Sequence, residues 1–233
     1  MKDKMEQETI EIRPKDETWD EAETQEKTEI QDNVEPRESV EVQKKNEAPD
    51  EILLAALKLF SQKGFFNTSL TDIAKQAGLK NTSAVYPHFK NKQAIATQLY
   101  ANILDSLSAS IDDIRCKNPK SSGQLRGIVD LLFKLTDDAP DIMRFLLILK
   151  LDEFLPDEKS MLESPPFIKI HKIIQSGIKA GEIRNIDPIL VNAYFFGIIN
   201  TTLRFKLTGM LEKAADAYQG QAWIAAWNVI AKK

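Results

Sequence analysis

Cysteine and histidine are scarce in this chain of 233 residues: one cysteine, Cys116, and two histidines 83 positions apart. A lone cysteine excludes an intramolecular disulfide framework and any cysteine-based metal cluster, and it fits a reducing compartment, the cytoplasm. No paired ligand spacing, no glycine-rich phosphate loop after a strand and no nucleophile-base constellation is present, so neither a metal nor a cofactor is expected, and the chain does not read as an enzyme. Long apolar runs are missing too. FLLIL at 145–149 is far too short to span a bilayer, and residues 1–20 lack an apolar signal core, so no membrane partner is expected. Strand alternation and hairpin signals are absent, which leaves an all-α body.

Charge is unevenly spread. The whole chain carries a formal −4, but residues 1–50 hold 17 acids and 8 bases, leaving the remainder about +5. From Met1 to about Ala48 the sequence is Glu, Lys, Gln, Thr and Asp with isolated apolar residues. Such a composition cannot bury enough surface to offset the entropy of ordering, so residues 1–48 are expected to be a disordered acidic extension, with Trp19 its one large aromatic. A positive body suits a polyanionic partner.

After Pro49 and Asp50 the spacing turns helical. Ile52, Ala56, Leu59 and Phe60 predict a helix from about Asp50 to Lys63, closed by Gly64. Further along, Asn91 predicts the cap of a long helix reaching about Arg115, and Ser121 or Ser122 the cap of another. Pro140 opens a strongly apolar helix through Leu151, and Pro165-Pro166 one that stops near Gly181. Asp187-Pro188 caps a helix to about Thr208, and the last spans roughly Ala214 to Ala231. About nine helices result.

Between the first two long helices lies SLTDIAKQAGLKNTSAVYPHFKNK, residues 69–92. Ser69 and Asp72 form a capping-box pattern for a short helix with Ile73, Ala74 and Ala77. A small residue at 74, glycine at 78 and apolar Leu79 after it suit two helices crossing near a right angle, a helix-turn-helix. From Lys58 to Gln98 there are six lysines and one acid, Asp72, so the second element of the pair faces outward as a phosphate-binding surface.

At these residues the chain resembles the tetracycline-repressor (TetR) family of bacterial transcription regulators. The resemblance runs from ILLAALKLFSQKGFFNTSLTDIAKQAGL through AVYPHFKNKQAI, residues 52–95, and a weaker one touches GIKAGEIRNIDPILVNAYFFGII. It implies a helix-turn-helix domain over 49–96 and a ligand-binding and dimerisation domain over 97–233. By position it places Thr68, Ser69 and Thr71 near phosphates, Lys80, Asn81, Thr82, Ser83 and Tyr86 in the groove, and His88 and Lys92 on the DNA backbone. Two departures stand out: one extra residue between Gly78 and Phe89, and Pro87 inside the recognition helix, which leaves only its first turn regular.

The resemblance further implies a homodimer on double-stranded DNA, acting as a repressor and released by a small hydrophobic effector. The pocket candidates are Phe133, Met143, Leu147, Ile174 and Phe195, with Arg144, His171 and Asn192 as polar anchors. Independently of it, Ile189, Ala193, Phe196, Asn200 and Leu203 follow bundle spacing and predict a pairing seam; Trp223 and Trp227 on the last helix are assigned to the same interface. The competing reading makes the acidic extension the working part of a protein-interaction module.

Overall fold

A computed structural model describes residues 37–156 and 163–233, with side chains from residue 48 onward. The acidic extension and Trp19 therefore lie outside the described residues, apart from backbone beginning at Arg37. Nine α-helices and one 3-10 turn make up the described residues: α1 (Arg37–Lys63), α2 (Leu70–Gln76), the turn Thr82–Ala84, α3 (Lys92–Lys117), α4 (Ser121–Asp138), α5 (Pro140–Leu147), α6 (Leu151–Phe154), α7 (Pro165–Lys179), α8 (Pro188–Leu207) and α9 (Asp216–Ile230). The all-α expectation holds, with one isolated bridge, Ile183 to Ala231, as the sole strand-like pairing among these residues.

Most helix starts follow the chemistry of their caps. Asn91 accepts from the Ala94 N–H at 2.8 Å and Asp187 from the Ile189 N–H at 2.7 Å, with Pro188 in the first turn. Three boundaries differ from the sequence expectation. Helix α1 begins at Arg37 and carries Pro49 inside it; the Glu, Lys and Gln around residues 38–47 are good helix formers, and the proline costs one backbone bond. Neither serine caps α4: the cap residue is Lys120, which makes no side-chain bond, and the donors are taken by a carboxylate from far along the chain. Glu182 accepts from the N–H groups of Ser121 and Ser122 at 3.1 and 3.0 Å and from the Ser122 hydroxyl at 2.6 Å.

The third difference concerns 140–151, expected as one helix and found as α5 and α6 with a break at 148–150. Two separate cores explain the break. One gathers α1, α2, the start of α3, Phe145 and Phe154; the other gathers α4, α7, α8, α9 and Met143. Helix α5 thus contributes Phe145 to one core and Met143 to the other, and the bend after it lets Phe154 stack on Phe65 with ring centroids 4.3 Å apart. Helix α3 runs through the boundary expected at residue 96 without interruption.

Candidate nucleic-acid interface

Helix α2 is fixed by its own capping box. The Asp72 N–H donates to the Ser69 hydroxyl oxygen at 3.0 Å, while the Ser69 N–H and hydroxyl both donate to Asp72 at 3.0 and 2.7 Å. Those bonds, first the one from the Ser69 hydroxyl, hold the Asp72 carboxyl below its ordinary pKa. Gly78, at φ 71°, then turns the chain, and the Leu79 N–H closes back on Ala74 O at 2.9 Å. Ala74 is 2 % exposed, and Val85 from the following turn is fully buried in the same core as Ile73, which sets the two elements against each other.

The element expected to be the recognition helix is a turn more than a helix. Asn81 caps it, Thr82–Ala84 form a single 3-10 turn, and non-helical turns continue to His88. Bonds from Val85 N–H to Thr82 O and from Phe89 N–H to Val85 O, both 3.0 Å, bracket Pro87, which has no N–H to give. The Thr82 hydroxyl meets the Thr71 hydroxyl at 3.1 Å and ties the turn to α2. Thr71, Lys80, Asn81, Ser83 and Tyr86 are exposed around this junction, with Thr82 and His88 half-buried.

Three residues assigned to phosphates by position are turned to other work. Thr68 is 2 % exposed and its hydroxyl donates to Gly64 O at 2.9 Å, so it closes the loop after α1. The Ser69 hydroxyl is committed to Asp72 as donor and acceptor. Lys92 sends its ammonium inward: Nζ donates to Phe65 O and Thr68 O, both at 2.7 Å, and lies 4.3 Å from the Phe65 ring centroid. Burial lowers the pKa of this ammonium. Phe65 is thereby contacted by Phe154 from α6 and by Lys92 from α3, and Lys92 holds the α1–α2 loop instead of reaching outward.

In the second core Phe133, Met143, Ile174 and Phe195 are at most 1 % exposed and share one cluster, with Leu147 packed against it. Arg144 departs from the pocket assignment: its guanidinium pairs with Asp141 at 3.4 Å, and Asp141 also accepts from Ser61 of α1 at 2.7 Å. His171 lies on Phe167 with ring centroids 6.4 Å apart, its Nε2 is 3.0 Å from the Gln175 amide, and its buried Nδ1 has no hydrogen-bond partner among the described residues. Asn192 is half-buried.

The residues expected as a pairing seam do not form one open stripe on α8. Phe196 is 8 % exposed and Leu203 fully buried in the chain's own core, with Asn200 half-buried and only Ile189 and Ala193 outside. The open stripe on α8 is instead Leu190, Tyr194, Gly197, Thr201 and Phe205, continued on α9 by Ile224 and Val229. Of the two tryptophans assigned to the same interface, Trp223 lies edge-on to Phe195 at 5.9 Å, beneath Arg126 at 5.4 Å, and Trp227 stacks on it at 5.4 Å, contacts made within the chain. A groove of about 510 Å³ between α8 and α9 is lined by Gly197, Thr201, Phe205, Tyr218 and Gln221. A Cβ added at Gly197 or Gly220 would meet nothing within 4 Å among the described residues. Helix α8 is apolar on nearly every side, so periodicity alone could not choose between neighbouring stripes.

Comparison with known proteins bears on the same region. Residues 52–99 match the family described as bacterial regulatory proteins, tetR family. The HTH-type transcriptional regulator RutR of Escherichia coli O157:H7 is 29 % identical over 144 residues, which is 59 % of this chain and 65 % of RutR, so the matched part falls just short of two thirds of that relative. The biofilm operon icaADBC negative transcriptional regulator IcaR of Staphylococcus epidermidis is 29 % identical over 92 residues, 40 % of this chain and 47 % of its own. Among solved structures, the transcriptional regulator FadR of Bacillus subtilis in complex with stearoyl-CoA superposes with a TM-score of 0.66 at 20 % identity, covering 76 % of this chain and 96 % of FadR, a likeness of fold.

Proposed function

With residues 52–99 forming a tetR-family domain, we propose that this chain is a dimeric transcription regulator, a repressor by mode, that binds a palindromic operator and leaves it when a small hydrophobic effector enters the second core. One observation carries the reading: an exposed polar surface of Thr71, Lys80, Asn81, Ser83 and Tyr86 on a backbone fixed by buried Ala74 and Val85, in a segment with six lysines and a single acid. Lysines contribute sequence-independent attraction to phosphates, while the polar side chains of the turn can reach base edges.

One such turn makes few contacts, and pairing doubles them. Gly197 and Gly220 support pairing through α8 and α9, because a mid-helix glycine costs about 1 kcal/mol relative to alanine and nothing among the described residues approaches either position. Two copies joined there would present their turns to successive major grooves about 34 Å apart.

For the effector, the core around Phe133, Met143 and Phe195 supplies apolar surface, and the unpartnered Nδ1 of His171 supplies a polar atom for a ligand group to satisfy. FadR, of similar fold, holds stearoyl-CoA, which supports an apolar chain as the class of ligand. Ligand entry would act by favouring a spacing of the two turns that the operator does not fit.

Selection of duplexes from a random or genomic pool tests the proposal. Recovery of sites with two-fold symmetry and one helical turn between half-sites is the expected result; recovery of no enriched duplex in dilute buffer contradicts it.

A further inference from the structure

The hydrogen bonds around Asn81 restrict what its amide can read. Its Oδ1 accepts from the Ala84 N–H at 3.1 Å and from the Ser83 hydroxyl at 2.7 Å, which fills both lone pairs. An N–H donor must face oxygen, so the amide orientation is settled by chemistry. What remains on this exposed side chain is Nδ2 with two donors and no acceptor. Lys80 beside it, also exposed, adds donors only, and no carboxylate occurs from Ile73 to Gln98.

Asparagine ordinarily recognises adenine by giving one hydrogen bond and taking another, from N6 to its carbonyl oxygen. Here that oxygen is already spent. In the major groove guanine presents two acceptors side by side, N7 and O6, whereas thymine presents only O4 and adenine only N7. We propose that Asn81 is a specificity-determining residue that donates to the N7/O6 edge of a guanine in each half-site and does not pair with adenine. The inference rests on the operator-binding reading and adds the base and the atoms.

The variant that separates the two roles of Asn81 is Asn81→Ser. Serine caps a helix start about as well as asparagine, so the turn keeps its acceptor while both amide donors are lost. Wild-type protein and Asn81→Ser are titrated against the selected duplex and against copies in which each guanine in turn is replaced by 7-deazaguanine, which lacks the N7 acceptor. At one guanine per half-site the wild type should lose about tenfold in affinity, within the range of a good side-chain contact to a base edge, while Asn81→Ser shows the same loss on the natural duplex and no further loss on the analogue. Asn81→Asp keeps both accepted bonds and exchanges the donors for a carboxylate, and on reselection it should replace that guanine with cytosine, whose N4 donates. Loss that is equal on all duplexes, unrelated ones included, assigns Asn81 to a phosphate and overturns the proposal. So does an unchanged preference at every position in both variants. Absence of any wild-type site would instead strike the operator reading itself.

Discussion

The α2–turn junction and the α8–α9 face are both open to solvent, and they are open for opposite reasons. At the junction the exposed groups are hydroxyls, an amide and cations, while the Asp72 carboxylate is taken up by Ser69 and Asn81 Oδ1 by Ala84 and Ser83. On α8–α9 the exposed groups are Leu190, Tyr194, Phe205 and Ile224, interspersed with glycines around which there is empty space. A polar surface with cations and no free carboxylate is suited to a polyanion, and an apolar surface with room for backbone approach is suited to another protein surface. The first needs contact chemistry without changing shape; the second needs shape and little chemistry.

Gly197→Leu should break this pairing of faces with the largest effect. Because nothing lies within 4 Å of the added Cβ, the monomer fold should persist, helped by about 1 kcal/mol of helix propensity. The dimer should be lost, and with it about 100-fold or more of operator affinity, since the second half-site would no longer be tethered. Sedimentation equilibrium alongside operator titration reads both effects.

Lys92→Met sharpens the division within the half proposed to bind DNA. Loss of two charge-assisted bonds to Phe65 O and Thr68 O should cost about 2 kcal/mol in thermal unfolding and weaken binding through the loosened loop. The slope of log affinity against log salt should not change, whereas Lys80→Ala should lower that slope by about 0.9 for each phosphate contact removed.

The smallest effect lies away from both faces. At Glu182 burial alone raises the carboxyl pKa, but the bonds from the Ser122 hydroxyl and from the Ser122 and Ser121 N–H groups outweigh it and hold the pKa below its ordinary value. A depressed folded pKa contributes stability that is present above the unfolded-state value and is lost as pH falls through the folded one. Glu182→Gln should therefore cost about 1 kcal/mol near neutral pH, with wild type and variant converging on acidification, as followed by denaturant unfolding across pH. Both surfaces should work as before at neutral pH.

Local chemistry carried the legible part of this molecule. The Ser69–Asp72 box, the Asn91 and Asp187 caps and the turns at Gly64 and Gly78 are decided within a few residues, and the sequence specifies each of them. The limited regularity around Pro87 follows from the missing N–H. Tertiary partners were not legible. Glu182 caps α4 from 60 residues away, and nothing near Ser121 advertises it. Lys92 reads as a surface cation until Phe65 and Thr68 are brought beneath it. On α8 the open apolar stripe is offset by a single residue from the expected seam, because both stripes are apolar and only packing by α4, α7 and α9 shows which one is buried.

The central claim, that the two open faces serve one assembly, is tested most directly by sedimentation of the wild-type chain with a selected duplex across a salt series. The account predicts two chains per duplex and an affinity that falls by about 10³ to 10⁵ between 50 and 200 mM salt if six to ten phosphates are engaged. One chain per duplex at saturation, or an affinity indifferent to salt, would contradict it.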